Sequence, residues 1–324
     1  MEGMGRSFQK LVDQKSQSGE RLAFSKNGKV FKIRAADIRK KLFSLLVMLA
    51  LSCPVFSQAV QHPKAPAVPS EVVFAGQPVS LERDDRHERM DRELMAFTYM
   101  HTTSSLMLKR SQRYFSAVLP ILSVNGLPED LKYIMVIESN LDPTAVSVTG
   151  AAGLWQFTKA TAQQYGLEVN ADVDERYNTE KATTAACRYL KEAFAKYGDW
   201  MTVAASYNAG QAAVSKRLSD QKEKRAMDLL LPEETSRYMF RVLAAKMFIE
   251  HPKEFGYDIS PEEYYPCDEP AEIITVTSAI PSLVDFAKAH GVSYYALKRA
   301  NRWLRSDKLP NPSGKAYRIV IPAS

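Results

Sequence analysis

Hydrophobic positions recur at helical spacing through most of the 324-residue chain. From Asp84 to Met100 charged residues alternate with Met90, Leu94, Phe97 and Met100; from Leu106 to Val124 the residues Tyr114, Val118, Ile121 and Leu122 share one face. Each pattern predicts an amphipathic helix. A longer one is predicted from Thr179 to Tyr197, where Ala182, Ala185, Tyr189, Leu190 and Ala193 make the apolar stripe and Gly198 supplies the stop. Asp199 is placed to cap the next helix, Trp200 to Asn208, and Pro232-Glu233-Glu234 is helix-start chemistry for a further one. Beyond Pro266 the pattern changes. Ile273 to Thr277 and Tyr317 to Pro322 read as strands, with short helices at Ser282 to His290 and Ser293 to Arg302 between them. The expected fold is mainly α, a helical domain followed by a small α+β module of order β-α-α-β.

The strongest departure from pattern lies in the stretch from Leu131 to Gly166. Leu131, Ile134 and Met135 occupy i, i+3 and i+4 of an apolar stripe, and the i+7 position is Glu138. No Lys or Arg falls within four residues of it, and Pro143 ends the helix soon afterwards. Burial, a missing local counter-ion and the negative end of the helix dipole all disfavour the anion and push the carboxyl's pKa upward. That environment suits a general acid. The same pattern, taken alone, also describes a structural glutamate held by hydrogen bonds.

Downstream of Glu138, small residues (Gly150, Ala151, Ala152, Gly153) allow backbone to approach a ligand closely. Ser147 and Gln156 offer neutral hydrogen-bonding groups, and Trp155 an aromatic face. This combination suits a sugar rather than an ion. Asp142 precedes Pro143 in a turn, where an Asp more commonly caps local backbone.

Charge divides unevenly. Residues 1–41 carry 11 Lys and Arg against 4 Asp and Glu, whereas 58–324 carry 32 against 33. The net +6 therefore belongs to a leader, and nucleic-acid binding has no support in the folded part. Arg39-Lys40-Lys41, the apolar run Leu42 to Leu51 and the small residues behind it form the pattern of a secretory signal. Ala50-Leu51-Ser52-Cys53 is similar to a lipid-attachment box with Leu out of place. Residues 1–57 are thus read as leader and 58–80, rich in Pro and small residues, as linker. Cys187 and Cys267 could pair in an oxidising compartment or stay as free thiols, and no metal-ligand spacing appears among the Cys and His.

Glu138-Ser139, Ser147 nine residues on, and Gly153-Leu154-Trp155-Gln156-Phe157 together resemble the soluble-lytic-transglycosylase (goose-lysozyme-like) family. Ser206-Tyr207-Asn208-Ala209-Gly210 is similar to that family's second signature, and Glu234-Thr235 with Tyr238 to its third. The resemblance implies a lysozyme-like helical domain over 81–262 acting on peptidoglycan glycan strands. Glu138 would be the single catalytic acid and base, with Ser147, Gln156, Tyr207, Asn208, Glu234 and Tyr238 lining the substrate cleft and no cofactor or metal required. A water-using hydrolase on the same fold, and a catalytically silent envelope-binding protein, stay open as alternatives. Residues 271–324 resemble a LysM module whose first turn, Ala279-Ile280-Pro281-Ser282, departs from the usual Gly-Asp-Thr. With 8 basic and 3 acidic residues that module could attract an anionic glycan. A monomer is expected, exported to the periplasm or envelope, with membrane association through the leader or a lipid.

Overall fold

The computed structural model describes residues 64–267 and 270–323. Ahead of them it gives the backbone of β1 (Arg21–Lys26) and β2 (Lys29–Arg34) and a few helical positions between 37 and 44. β1 and β2 pair antiparallel, from Arg21↔Arg34 to Lys26↔Lys29, inside the stretch read as a leader. Apart from Phe43 and Ser44, the apolar run of the signal pattern lies outside the described residues, as does Cys53. Among the described residues no helix is long and apolar enough to cross a membrane.

The linker reading of 58–80 is corrected from Glu71 onward. β3 (Glu71–Phe74) and β4 (Gln77–Ser80) form an antiparallel hairpin. Its turn residues Ala75 and Gly76 both take positive φ, 52° and 77°, the conformation whose twist suits a two-residue hairpin. Val72, Phe74 and Val79 are buried in the same core as the helices, with Leu81 behind them. Polar contacts fix the hairpin further: Ala75 N–H donates to Asp130 Oδ2 at 2.8 Å, while the Gln77 amide bonds both Gly198 O (3.0 Å) and Trp200 N (2.7 Å). Alternation over four residues per strand is too short a signal to outweigh the Pro-rich composition around it.

The helices follow as α1 (Asp84–Tyr99), α2 (His101–Val124), α3 (Lys132–Ser139), α4 (Lys159–Gln164), α5 (Thr179–Tyr197), α6 (Trp200–Ala209), α7 (Gln211–Gln221) and α8 (Glu233–Glu250). The sequence pattern does not predict α7, because Val214 is its sole buried residue and no apolar stripe develops. The caps predicted around α5 and α6 are present. Gly198 ends α5 at φ 66°, and Asp199 Oδ2 accepts from Thr202 N at 2.8 Å. α8 packs against α1, α3 and α6 and so sets the positions of the others. Glu93 of α1, 1% exposed, accepts from Arg237 Nε of α8 at 2.8 Å with Arg92 alongside at 3.2 Å. Phe97 stacks on Phe248 across the same interface, ring centroids 5.1 Å apart.

No Cys187–Cys267 disulfide forms. Cys187 is a buried free thiol in the α5 stripe, its pKa pushed by burial to about 11, and Cys267 is exposed beside Ser116.

The C-terminal module has the predicted order: β5 (Pro270–Val276), α9 (Leu283–Ala289), α10 (Tyr294–Ala300) and β6 (Tyr317–Pro322). β5 and β6 pair antiparallel, with Ile274 opposite Ile319 and Val276 opposite Tyr317. Ser282 and Ser293 cap the two helices through Asp285 N and Ala296 N. Fully buried Asn301 ties the end of α10 to β6, its amide bonding both Val320 O (2.7 Å) and Val320 N (2.8 Å). The module's core of Leu283, Ala287, Leu297, Trp303, Leu309 and Ile319 is completed by Val173, a residue of the helical body.

Candidate active site

Glu138 occupies the last turn of α3. The helix stops because Asn140 and Leu141 take left-handed φ of 50° and 56°, with Asn140 N–H closing the final turn on Val136 O at 2.8 Å. The side chain of Leu141 is fully buried, which holds this unfavourable pair of backbone conformations in place. Asp142 then makes a local turn: its Oδ1 accepts from Thr144 N (2.8 Å) and Thr144 Oγ1 (2.7 Å), and Arg110 lies 3.6 Å from Oδ2. Those hydrogen bonds hold its carboxyl below the usual range despite partial burial. The capping role predicted for Asp142 is the one observed.

The neighbours of Glu138 come from α6 and α8. Tyr238, 4% exposed, donates its hydroxyl to Glu138 Oε1 at 2.6 Å. Burial raises the Glu138 pKa to about 7, and it outweighs the Tyr238 hydrogen bond and the positive field of Arg241, both of which favour the anion. Glu234, exposed in the first turn of α8, pushes the value up further by like-charge repulsion. Tyr207 feels the same carboxyl: burial and the Glu138 charge together raise its phenol well above the usual value. Desolvation, one of the three causes expected from the sequence, is the largest. The sequence reading misses Arg241, which counteracts the absence of a cation on α3. Arg241 follows Glu234 by seven residues and Tyr238 by three, so all three fall on one face of α8. That spacing was the available signal.

The loop after Asp142 is held by bonds within itself. Val146 and Phe157 both bridge to Ala152 in antiparallel fashion. Gln156 takes φ 49° and donates Nε2 to Ala145 O (3.0 Å) and Gly153 O (2.8 Å). Ser147 Oγ accepts from Ala151 N at 3.0 Å and pairs with Thr149 Oγ1 at 2.9 Å. Both polar groups predicted to face a sugar therefore also shape the loop that carries them. The aromatic face predicted at Trp155 is not available. This side chain is fully buried, and its indole N–H donates to Thr183 Oγ1 at 2.9 Å. Its role is to anchor the loop on α5. The backbone carbonyl of Trp155 in turn accepts the Tyr207 hydroxyl at 2.8 Å, which joins the loop to α6. Tyr189, read in the sequence only as part of the α5 stripe, stacks edge-on against Tyr207 at 5.1 Å and donates to Ser206 O. Asn208 lies half-buried in the last turn of α6. Among the described residues no cluster of three potential metal ligands occurs.

Chemically, the arrangement is a carboxyl poised between its two protonation states near neutral pH, with a donor fixed to steady the anion when it forms. Residues 122–229 match the family described as the transglycosylase SLT domain, and 272–324 match the soluble lytic transglycosylase C-terminal LysM-like domain. The first match ends before α8, so Tyr238 and Arg241 lie beyond it. Over 247 residues the chain is 27% identical to membrane-bound lytic murein transglycosylase D of Escherichia coli K12, covering 74% of this chain and 52% of that protein. It is 42% identical over 90 residues to the peptidoglycan transglycosylase gp16 of Escherichia phage T7, covering 27% of this chain and 7% of that one. The chain thus spans about half the length of the E. coli relative. Among solved structures it is similar to the 70 kDa soluble lytic transglycosylase of Escherichia coli, at 17% identity and TM-score 0.38 over 54% of this chain and 33% of that one. Residues 122–229 are therefore a transglycosylase SLT domain, joined in the same chain to a soluble lytic transglycosylase C-terminal LysM-like domain at 272–324.

Proposed function

We propose that this protein is a lytic transglycosylase of the cell envelope, cleaving the β-1,4 bond between MurNAc and GlcNAc in peptidoglycan strands. The observation that carries the reading is a carboxyl, Glu138, at the end of an apolar helix with the Tyr238 hydroxyl 2.6 Å from it, where burial pushes its pKa up to about 7. Near neutral pH such a group can both donate and recover a proton.

In the first step protonated Glu138 donates to the glycosidic oxygen. The bond from that oxygen to C1 of MurNAc breaks, and its electron pair leaves with GlcNAc. Positive charge develops at C1 while Glu138 becomes an anion, which the Tyr238 hydroxyl and the field of Arg241 stabilise. In the second step the C6 hydroxyl of the same MurNAc attacks C1, giving its proton to Glu138. The product is a 1,6-anhydro ring, and the acid is restored without a water molecule. Tyr207 and Asn208 from α6, Glu234 and Tyr238 from α8, and Ser147 and Gln156 from the loop are the groups assigned to hold the sugar. No metal or organic cofactor takes part. The catalytic body is assigned to 81–262 together with the buried hairpin at 71–80, and the module to 271–324.

Most glycosidases that use water need a second carboxylate. Asp142, the nearest candidate in sequence, is committed to Thr144 and held below the usual range, which makes it a weak base. Glu234, the other carboxyl whose charge reaches Glu138, is assigned here to hold the sugar. The test is Glu138→Gln, which should abolish cleavage of sacculi while leaving co-sedimentation with them intact. Normal cleavage by that variant would overturn the assignment.

A further inference from the structure

One short turn is bonded to the C-terminal module on one side and to the active-site loop on the other. On the module side, residues 172–174 pair with 303–305. Asp174 N–H donates to Trp303 O at 2.8 Å and Arg305 N–H donates to Asp172 O at 2.7 Å, with Val173 seated in the module's core between them. Lys315 of the module reaches back to Glu175 (2.9 Å) and Glu168 (2.7 Å), and Tyr317 donates to Glu168 at 2.8 Å. Glu175 is 2% exposed, and its hydrogen bonds from Glu168 N, Lys181 and Lys315 keep it ionised despite burial. Removing Lys315 would leave this buried carboxylate with one cation fewer, which is costly. The module is thereby fixed against the body rather than hung on a tether.

The next residue faces the other way. Arg176 is gripped by Asp174 through two parallel bonds, 2.9 Å from Nε and 2.7 Å from a terminal nitrogen. Its remaining nitrogen donates to two loop carbonyls, Gly150 O at 2.7 Å and Phe157 O at 3.1 Å. The Arg176 carbonyl itself presses on Gly153, where an added Cβ would stand 2.1 Å from it. Between Gly150 and Phe157 the loop has no regular secondary structure, so bonds of this kind set its shape. The same loop presents the Trp155 carbonyl to Tyr207, the tyrosine that shares the electric field of Glu138.

We propose that the C-terminal module is a brace for the active site: docked on residues 172–175, it fixes Arg176, and Arg176 acts as a positioning residue for the loop that holds Tyr207 beside Glu138. The inference rests on the activity proposed above. It differs from the role of a tethered glycan binder in one measurable respect. A tether matters for an insoluble substrate with many sites, whereas a brace matters for every substrate, however short.

The experiment uses the full chain and two substrates, intact sacculi and a soluble tetrasaccharide of alternating GlcNAc and MurNAc. Lys315→Met with Tyr317→Phe removes the module's side-chain bonds to Glu168 and Glu175. Arg176→Lys keeps a charge beside Asp174 but cannot hold Asp174 by a fork and the two carbonyls at once, and it stands alone if the double variant fails to fold. Circular dichroism fixes the folded fraction by which each rate is divided. A misplaced loop should lower kcat on the tetrasaccharide roughly tenfold with KM within about twofold, and the loss on sacculi should match. A loss confined to sacculi makes the module a tether and overturns the proposal, as does an unchanged kcat on both substrates. Should the unaltered protein cleave neither substrate, the activity itself is refuted and this inference falls with it.

Discussion

The hydroxyl of Tyr238 lies 2.6 Å from Oε1 of Glu138, one hundred residues away in sequence, and donates to it. This contact, made possible because α8 packs directly on α3, stabilises the carboxylate against the burial that would otherwise keep it neutral. Removing it with Tyr238→Phe raises the Glu138 pKa further, because the anion loses its donor. The descending limb of the pH–rate profile should therefore move to higher pH. The maximal rate should fall by roughly ten- to a hundredfold, since the anion formed in the first step is no longer steadied. A profile with the limb unmoved would contradict the role given to this bond.

Two further residues of α8 act on the same carboxyl in opposite senses. Arg241→Met removes a positive field that favours the anion and should shift the limb upward. Glu234→Gln removes a negative field and should shift it downward. The pair of titrations checks the sign of each contribution, and shifts in the same direction would contradict the electrostatic account.

Glu138 also links stability to pH. Its folded pKa, about 7, lies above the ordinary 4.5, so the folded protein binds more protons than the unfolded chain between those values. This group's contribution to stability is therefore most favourable below pH 4.5 and declines as pH rises through the folded value. Glu138→Gln should remove that slope and stabilise the protein at neutral pH by roughly 2–3 kcal/mol. Urea denaturation at two pH values measures both effects.

Gly153 has φ 77° and no room for a methyl group against the Arg176 carbonyl. Gly153→Ala should cost about 3 kcal/mol of stability and loosen the loop over Trp155. Thermal unfolding followed by tryptophan fluorescence reads the outcome.

The hairpin at 71–80 belongs to the folded body, with Phe74 fully buried. Phe74→Ala should cost about 3–5 kcal/mol, a loss that a linker residue would not produce. Denaturant unfolding of the full chain is the measurement.

The mainly α body and the β-α-α-β module were legible because long amphipathic stripes and helix caps are local signals, as at Asp199, Gly198 and Ser282. The raised pKa of Glu138 was legible for the converse reason: a carboxylate interrupted an apolar stripe. What the sequence could not reveal depends on side-chain direction and on contacts far apart in the chain. Trp155 reads as a sugar platform beside Gln156, yet it points into the core toward Thr183. Arg241 looks like one more surface charge until α8 is set on α3. Residues 172–177 carry no motif at all. Their significance arises only when Lys315 and Trp303 are brought against them.

The nucleophile that returns a proton to Glu138 belongs to the sugar and not to solvent. Mass spectrometry of the fragments released from purified peptidoglycan decides it. The account predicts anhydro-MurNAc ends, lighter by one water than hydrolysis products, and none from Glu138→Gln. Fragments ending in hydrated, reducing MurNAc would contradict it.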